Sequence, residues 1–380
     1  MYALQALIKG QSVFYFVLLP VFYAEHRITT KSVGYIGALF IVALILGAVI
    51  VARWLHRLNT RQLISVSSLV SIAASALLFL SVSSGTLGLL VLSYGLMGLS
   101  VGTAMSGLNA VAANLTNKGN RYKILARIGM LTDVIRITFP LLVAALVLHG
   151  ASTAAVGFIL LTSVLLLVFA VALPKDLHGN SAESSIGWSI LGNKSFKKVL
   201  SLEFFDSFSS SQLFVFLPLL FIAKGYSLSS SLVLQSCVFV GYLCGRWLVS
   251  VIAHRYSGIR AIAYSELGMV ITILLLLVVQ NLQLLYLLSF LLGAFARGTS
   301  PAIKALAFDV LDQKNIKKGS AMHVVAGDSG SALGQLLFGL MIAWWGVRAP
   351  FLVAASIALL IAVACLTRLP KPITGKSSVS

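Results

Sequence analysis

Residues 87–113 read LGLLVLSYGLMGLSVGTAMSGLNAVAA, a stretch without a single Asp, Glu, Lys or Arg. A helix needs roughly 20 apolar residues to cross the hydrocarbon core of a bilayer, so the stretch is long enough to span a membrane. It does not alternate apolar and polar residues, as the strands of an outer-membrane barrel do. Because backbone groups in lipid must be hydrogen-bonded within the segment, the stretch predicts a transmembrane helix.

The rest of the 380-residue chain has the same character. Hydrophobic residues make up 59% of it and charged residues 10%, and the mean hydropathy is +0.99. Because 28 basic and 10 acidic side chains cannot cover the surface of a soluble protein of this length, we exclude the water-soluble classes. Charged or Gly- and Ser-rich breaks separate twelve apolar stretches, at 3–24, 34–54, 63–82, 87–113, 124–148, 153–173, 199–223, 229–252, 261–280, 283–308, 321–345 and 350–367. The sequence therefore predicts an all-α polytopic membrane protein with twelve transmembrane helices.

Basic residues in the predicted connections indicate the orientation of the chain. With a cytoplasmic N-terminus, the cytoplasmic connections and the C-terminal tail contain nineteen Lys and Arg residues, whereas the connections on the other side contain four. This bias predicts a multi-pass protein of the cell inner (cytoplasmic) membrane with both termini in the cytoplasm. The basic residues behind the formal net charge of +18 therefore orient the chain in the membrane and contact anionic lipids. Because they are distributed over short loops and form no continuous patch, they do not indicate nucleic-acid binding.

The two halves of the chain match each other at an offset of 195 to 198 residues. The matching pairs include Leu19-Pro20 with Leu217-Pro218, Gly47 with Gly245, His56-Arg57 with His254-Arg255, Gly102-Thr103 with Gly298-Thr299, and Asp133 with Asp328. We therefore divide the chain into an N-terminal six-helix bundle (1–173), a cytoplasmic linker (174–198), a C-terminal six-helix bundle (199–370) and a cytoplasmic tail (371–380). Repeats that begin on the same side of the membrane are typical of transporters, and we expect a monomer.

A basic motif follows the second helix of each repeat. In both repeats a Gly is followed nine residues later by a basic pair, as in Gly47 with His56-Arg57 and Gly245 with His254-Arg255. Together with the six-plus-six spans and the central linker, this motif resembles that of the major facilitator superfamily. In that family an Asp stands where this chain has His, and it helps to latch the cytoplasmic side closed. The resemblance therefore implies gating roles for the residues of the motif, which are His56, Arg57, Arg61, His254 and Arg255.

Ten charged residues lie inside the predicted spans, where each costs roughly 2.5–3.5 kcal/mol on insertion scales. They are Lys9, Asp133, Arg136, Glu203, Asp206, Arg246, Glu266, Arg297, Lys304 and Asp328. Lys9, Glu203 and Glu266 lie within a few residues of the predicted helix ends, so we expect their charged groups to reach the membrane interface. Arg246 lies a turn or two from the cytoplasmic face, where a gating latch between helices and a contact with substrate are both open interpretations.

Arg297 is the strongest candidate for substrate binding, because it lies in the middle of span 10, which the resemblance places against the central cavity. Without the three end-proximal charges, the spans keep four cations and three carboxylates. If one of these carboxylates is protonated, the cavity has a net positive charge. The planar guanidinium group of Arg can also donate two parallel hydrogen bonds to a carboxylate or a phosphate. The predicted substrate is a small anionic or zwitterionic solute, such as an organic acid, a phosphorylated metabolite or an anionic metal chelate. The other predicted substrate contacts are Arg136, Asp206, Lys304, Gln11 and Tyr15.

Asp328 and Asp133 are the candidates for proton coupling. They occupy equivalent places, about eight residues into spans 11 and 5. A carboxylate at that depth favours its neutral form unless a cation compensates it, which is the property that a proton carrier needs. Arg136 follows Asp133 by three residues, whereas Asp328 has no cation within a helical turn in sequence. Asp328 is therefore the better candidate.

Three classes of function are compatible with a polytopic chain. An enzyme would need a catalytic constellation, and the sequence has no paired His ligands, nucleophile elbow or P-loop, so we expect neither enzyme activity nor a metal or cofactor. A channel fits poorly with a two-fold repeat and buried charges on gating helices. The sequence favours a proton-coupled secondary active transporter of a small molecule. The alternatives are a multidrug/proton antiporter that exports amphipathic compounds, whose Gly-Pro motif is matched only by Pro140, and a transport-inactive receptor or scaffold.

Overall fold

The structure is a computed structural model, which describes residues 2–26, 28–51, 53, 58–115, 121–149, 152–173, 188–255, 258–296, 299–311 and 315–367. This part of the chain contains fourteen α-helices, a short 3-10 helix at Trp188–Gly192 and no β-strand. In chain order the helices are α1 (Tyr2–His26), α2 (Thr30–Ile50), α3 (Thr60–Ser84), α4 (Leu87–Leu115), α5 (Arg121–Leu148), α6 (Ser152–Val171), α7 (Lys194–Ser210), α8 (Gln212–Ala223), α9 (Leu228–Arg255), α10 (Gly258–Val278), α11 (Leu282–Ala296), α12 (Ser300–Asp309), α13 (Ile316–Trp345) and α14 (Ala349–Thr367).

These helices account for the twelve predicted spans and confirm the all-α fold. Ten segments of the described chain are long and apolar enough to cross a membrane. The 28-residue α5 and the consecutive helices α11 and α12 supply the other two. The sequence did not indicate that span 7 is divided into two helices, α7 and α8. In span 10 the helices α11 and α12 lie on either side of residues 297–298, which are outside the described ranges.

A run of serines explains the division of span 7. Each of these hydroxyls donates a hydrogen bond to the carbonyl three residues earlier, in the pairs Ser209 to Asp206, Ser210 to Ser207 and Ser211 to Phe208. Such bonds compete with the regular helical pattern and bend helices. Pro218, about two turns after Ser211, cannot donate a backbone hydrogen bond and weakens the first half of α8. The interruption between α7 and α8 therefore follows from the residues of span 7 itself.

Glycines bring the same helix pair into close contact in both halves of the chain. A Cβ atom on Gly102 of α4 would collide with the Leu44 carbonyl of α2. A Cβ atom on Gly245 of α9 would collide with the Ala294 carbonyl of α11. The helices α2 and α4 of the first half thus correspond to α9 and α11 of the second. In both halves these small residues allow the two helix backbones to approach each other closely.

The outer surface of the helices is apolar. Large hydrophobic side chains with half or more of their surface exposed occur on helices of both halves, for example Leu161, Val168, Ile271 and Leu360. Such a surface would be unfavourable in water but matches lipid tails.

Helices α1–α6 pack together as a first bundle and α7–α14 as a second, and the bundles meet where α2 contacts α13, α5 contacts α9 and α1 contacts α8. We call the end of the molecule that contains Leu58, Asn59, Leu311 and Asn315 the terminal face, and the other end the opposite face. Contacts are tight near the opposite face. A Cβ atom on Gly34 would lie 2.7 Å from the Gly339 Cα atom, and the Ser229 hydroxyl donates to the Ala144 carbonyl over 3.2 Å.

Candidate functional site

A buried ion pair joins the two bundles near the middle of α5 and α9. The Asp133 side chain on α5 is 2% exposed, and Arg246 on α9 donates from Nη1 to Asp133 Oδ2 over 2.7 Å. Arg136, one turn further along α5, approaches the other carboxylate oxygen, Oδ1, at 3.4 Å. Two guanidinium groups therefore compensate one carboxylate, and one of them comes from the other bundle.

Tyr242 holds both guanidinium groups in place. It lies one turn before Arg246 on α9, and its hydroxyl accepts a hydrogen bond from Arg246 Nη2 over 2.6 Å. The guanidinium carbon of Arg246 lies 4.2 Å from the Tyr242 ring centroid, and that of Arg136 lies 5.4 Å from it. The ring face attracts both cations, which allows two guanidinium groups to lie close together.

Lys9 on α1 belongs to the same environment. The helix α1 packs against both α5 and α9, and Lys9 lies within electrostatic range of Arg136, Arg246 and Asp133. Its ammonium group therefore faces the bundle contact, which differs from the expectation that it reaches the membrane interface. We call Lys9, Asp133, Arg136, Tyr242 and Arg246 the interface cluster.

The interface cluster is net positive among the described residues. It contains three basic side chains and one carboxylate. In addition, the Nε–H group of Arg136 is buried and has no hydrogen-bond acceptor within the described ranges. A buried donor without an acceptor is unfavourable, so this group favours binding of an additional acceptor atom. The cluster is suited to hold an anion between the bundles.

The gating candidates divide into two groups. Arg246 crosses from one bundle to the other, as a latch between helices would, although the sequence placed it nearer the terminal face. Arg61 lies half-buried in the first turn of α3 at the terminal face. His56 and Arg57 fall outside the described residues. For His254 and Arg255 the structure describes the end of α9 but not the side chains.

Gln11 and Tyr15 lie in the interior of the first bundle, which differs from the expectation that they line the central cavity. Gln11 Nε2 donates to Ser163 Oγ over 2.9 Å, and Ser163 lies within 3.0 Å of two serine hydroxyls on α3. The Tyr15 hydroxyl lies 3.0 Å from Ser93 Oγ on α4, and its side chain has 0% exposed surface. Both side chains therefore complete a polar network within one bundle.

The acids of span 7 also point into their own bundle. Glu203 lies 3.2 Å from His323 on α13, measured between Oε2 and Nε2, and accepts a hydrogen bond from Ser207 over 3.3 Å. Asp206 has 0% exposed surface and accepts a hydrogen bond from Thr299 over 2.9 Å. Glu266 also has 0% exposed surface. The expectation that Glu203 and Glu266 reach the membrane interface was therefore wrong, because α7 and α10 begin earlier than the sequence indicated and both acids lie more than two turns inside them.

The remaining candidates lie on α13 and in span 10. Asp328 is half-buried on α13, where the neighbouring Gly327 packs against Glu203 of α7. Lys304 is exposed on α12, with its ammonium group 5.8 Å from the Phe308 ring. Arg297 falls outside the described residues, between the end of α11 and Thr299.

Tyr242 was not among the predicted site residues, and Lys9, Glu203 and Glu266 do not reach the membrane interface as expected. A signal for Tyr242 was available, since it precedes Arg246 by four residues and therefore lies on the same face of α9. For Lys9 and Glu266 the signal was partial. Their distance from a helix end could be estimated, but the direction in which each side chain points could not.

The architecture and the interface together define a class of protein. Two bundles of membrane-spanning helices that meet at buried charged contacts are organised as in secondary transporters. The family model of the Major Facilitator Superfamily matches residues 3–264 and 199–379, and the chain belongs to that superfamily. It is a multi-pass membrane protein of a transporter family, which confirms the resemblance carried by the sequence.

Solved transporters share this fold. The nucleoside transporter NupG has a TM-score of 0.73 at 14% identity, with 96% of this chain and 97% of that chain covered. A bacterial homologue of the human lysosomal transporter Spinster, in an inward-facing and occupied conformation, has a TM-score of 0.76 at 12% identity, with 96% and 95% covered. The D-xylose–proton symporter has a TM-score of 0.74 at 15% identity, with 98% and 97% covered. At these identities the likeness establishes the fold alone. Among curated proteins, none matches the sequence.

Proposed function

We propose that the protein is a proton-coupled secondary active transporter of a small anionic or zwitterionic solute. The substrate class comprises organic acids, phosphorylated metabolites and anionic metal chelates. The solute crosses the cytoplasmic membrane by alternating access, with both termini of the chain in the cytoplasm. The observation that carries the proposal is the interface cluster, in which Arg136 and Arg246 both pair with Asp133 at the contact between the two bundles and Lys9 lies within electrostatic range of them.

The position of the interface cluster supports a role in substrate binding. Alternating access moves one bundle against the other, so the contacts of residues between the bundles change during each transport cycle. A substrate carboxylate or phosphate can accept hydrogen bonds from Arg136 and Arg246 in the forked geometry that guanidinium groups favour. It can also supply the acceptor that Arg136 Nε lacks among the described residues. Binding of an anion would therefore loosen the hold of Arg246 on Asp133.

The same charges disfavour the rival function. Exporters of lipophilic cations need a carboxylate in an otherwise apolar cavity, whereas the Asp133 carboxylate is already compensated by two guanidinium groups. A lipophilic cation at this contact would meet three like charges. The interface cluster thus supports an anionic substrate rather than a cationic drug.

For proton coupling, Asp328 remains the leading candidate of the original pair. Asp133 is paired with two guanidinium groups, one of them from the other bundle, so its position suits a gate between the bundles. Asp328 is half-buried on a helix that contacts the first bundle through α2. It can therefore respond to the movement of the bundles.

Thermal unfolding of the detergent-purified protein tests the substrate class. Succinate, citrate and glycerol phosphate are each compared with an uncharged compound of the same skeleton, and tetraphenylphosphonium represents lipophilic cations. A ligand at 100 times its Kd stabilises the folded state by about 2.7 kcal/mol, so a binding anion should raise Tm measurably. Arg136→Gln should abolish this rise, whereas Arg348→Gln, at an exposed position on the opposite face, should preserve it. Stabilisation by tetraphenylphosphonium and by none of the anions would refute the proposal.

A further inference from the structure

Arg246 divides its two terminal nitrogen atoms between the two bundles. Its Nη1 atom donates to Asp133 Oδ2 on α5 over 2.7 Å, and its Nη2 atom donates to the Tyr242 hydroxyl on its own helix over 2.6 Å. Both distances are short, as is typical of hydrogen bonds from a charged donor. Asp133 and Tyr242 therefore hold the two terminal nitrogens of one guanidinium group.

This division leaves one hydrogen bond between Arg246 and the other bundle. An Arg side chain and a carboxylate often pair through two parallel hydrogen bonds, which occupy both carboxylate oxygens. Within the described ranges, Arg246 donates to Asp133 from Nη1 alone. The second oxygen, Oδ1, is approached by Arg136 at 3.4 Å, which is long for a hydrogen bond. An acceptor for a second bond from Arg246 is thus close at hand but is not used.

Tyr242 keeps Arg246 in this arrangement through two contacts. It lies four residues before Arg246 and therefore on the same face of α9. The guanidinium carbon lies 4.2 Å from the centroid of the ring, whose face attracts the cation, and the hydroxyl accepts from Nη2. A turn of Nη2 toward Asp133 would break the hydrogen bond to the hydroxyl. Tyr242 therefore competes with Asp133 for the second terminal nitrogen.

We propose that Tyr242 is a positioning residue that keeps the contact between the bundles releasable. Because its hydroxyl accepts from Nη2, Arg246 does not hold Asp133 with both terminal nitrogens. An anion that replaces Asp133 displaces one hydrogen bond rather than two, and it meets a guanidinium group that is already held on α9. The inference rests on the proposed function, in which an anion binds at the interface cluster.

Arg136 makes this exchange of partners possible. It pairs with Asp133 on the same helix, and its guanidinium carbon lies 5.4 Å from the centroid of the Tyr242 ring. Removal of one partner from a buried ion pair is costly when it leaves the other charge uncompensated. When an anion takes Nη1 of Arg246, Asp133 keeps Arg136 as its partner. Each charged group therefore retains a partner after the exchange.

The effect of the hydroxyl on anion binding follows from linkage. An anion that binds only when Nη1 has left Asp133 has an apparent Kd inversely proportional to the fraction of molecules in the released state. A second hydrogen bond between Arg246 and Asp133 that makes release about tenfold rarer should therefore raise the apparent Kd about tenfold.

Tyr242→Phe tests the hydroxyl in the purified full-length protein. This variant keeps the ring and frees Nη2 to bind Asp133, so it should raise the Tm of the anion-free protein. It should also raise the Kd for succinate, citrate or glycerol phosphate about tenfold, as measured from the dependence of Tm on anion concentration. Tyr242→Leu removes the ring as well and should lower the Tm.

The Asp133→Asn background separates this effect from a general loss of packing. An Asn side chain has one oxygen and no charge, so it cannot accept two parallel hydrogen bonds from Arg246. In this background Tyr242→Phe only removes an acceptor, and it should lower the Tm and leave the Kd unchanged. Tyr226→Phe is the matched control in the parent, because its hydroxyl donates to the Gln280 carbonyl away from the interface cluster, and the Kd should not change.

Two results would overturn the proposal. A Tm change of the same sign on Tyr242→Phe in both backgrounds would show that the hydroxyl does not compete with Asp133 for Arg246. A Kd that is unchanged or lower in Tyr242→Phe would show that the hydroxyl does not control access of the anion. If no anion stabilises the parent, the proposed function fails, and the sign of the Tm change in the two backgrounds still decides whether Tyr242 restrains Arg246.

Discussion

The ion pair between Asp133 and Arg246 is expected to stabilise the conformation described here, because it links the two bundles. A hydrogen bond to a charged group contributes about 1.5–3 kcal/mol, and removal of one partner of a fully buried pair costs about 3–5 kcal/mol. Asp133 is buried, but the Arg246 side chain is 29% exposed, and Arg136 still compensates the carboxylate at 3.4 Å. We therefore expect the loss of either partner to destabilise this conformation by about 2 kcal/mol, near the lower end of these ranges. That energy corresponds to a change of about 30-fold in a conformational equilibrium.

A double-mutant cycle measures this contribution. The proteins compared are the parent, Asp133→Asn, Arg246→Gln and the double variant. Spin labels on Ser84→Cys and Gln280→Cys report the distance between the bundles at the opposite face, in a background without the native cysteines. Double electron–electron resonance then gives the populations of short and long distances. Each single variant should shift the equilibrium toward long distances by about 30-fold, and the double variant should add little further change.

A matched control variant and one contrary outcome make the double-mutant cycle decisive. Asp309→Asn removes an acid of the same type from an exposed position on α12 and should leave the distances unchanged. A coupling energy below about 0.5 kcal/mol would show that the ion pair does not hold the bundles together, since exposed pairs contribute amounts of that size.

Three further predictions concern other parts of the molecule. Arg297→Lys retains the charge but loses the guanidinium fork, so it should weaken anion binding about tenfold in the thermal-shift assay, and normal binding by Arg297→Ala would contradict a role in recognition. Asp328→Asn should abolish accumulation of a substrate against its gradient in proteoliposomes, and unchanged accumulation with the same pH dependence would exclude a proton role. Gly34→Val should separate the bundles at the opposite face, because its side chain would collide with the Gln335 carbonyl, whereas Gly157→Val, whose Cβ atom meets no atom within 4 Å, should not.

The number and nature of the spans could be predicted from the sequence because hydrophobicity is a property of consecutive residues. Residues 87–113 have the length and composition of a membrane helix whatever surrounds them. The repeat was also visible, since Gly47 and Gly245 occupy matching positions and pack in the same way in the two halves. The division of span 7 was not predicted, because a bend of this kind depends on whether serine hydroxyls turn toward their own backbone.

The candidate sites were predicted only in part. Sequence identified the intramembrane charges, including Asp133 with Arg136, because spacing along one helix determines which neighbours share a face. It could not pair Asp133 with Arg246, since that contact joins helices of different bundles.

From the order of its residues alone, this chain can be identified as a helical membrane protein built as two similar halves with a few charges inside its spans. Which of those charges meet depends on how the helices pack. The physical reason is that a helix surrounded by lipid and by other apolar helices has little amphipathic pattern, so its rotation about its own axis is set by packing. That rotation directs Lys9 toward the other bundle and turns Gln11 and Tyr15 into their own.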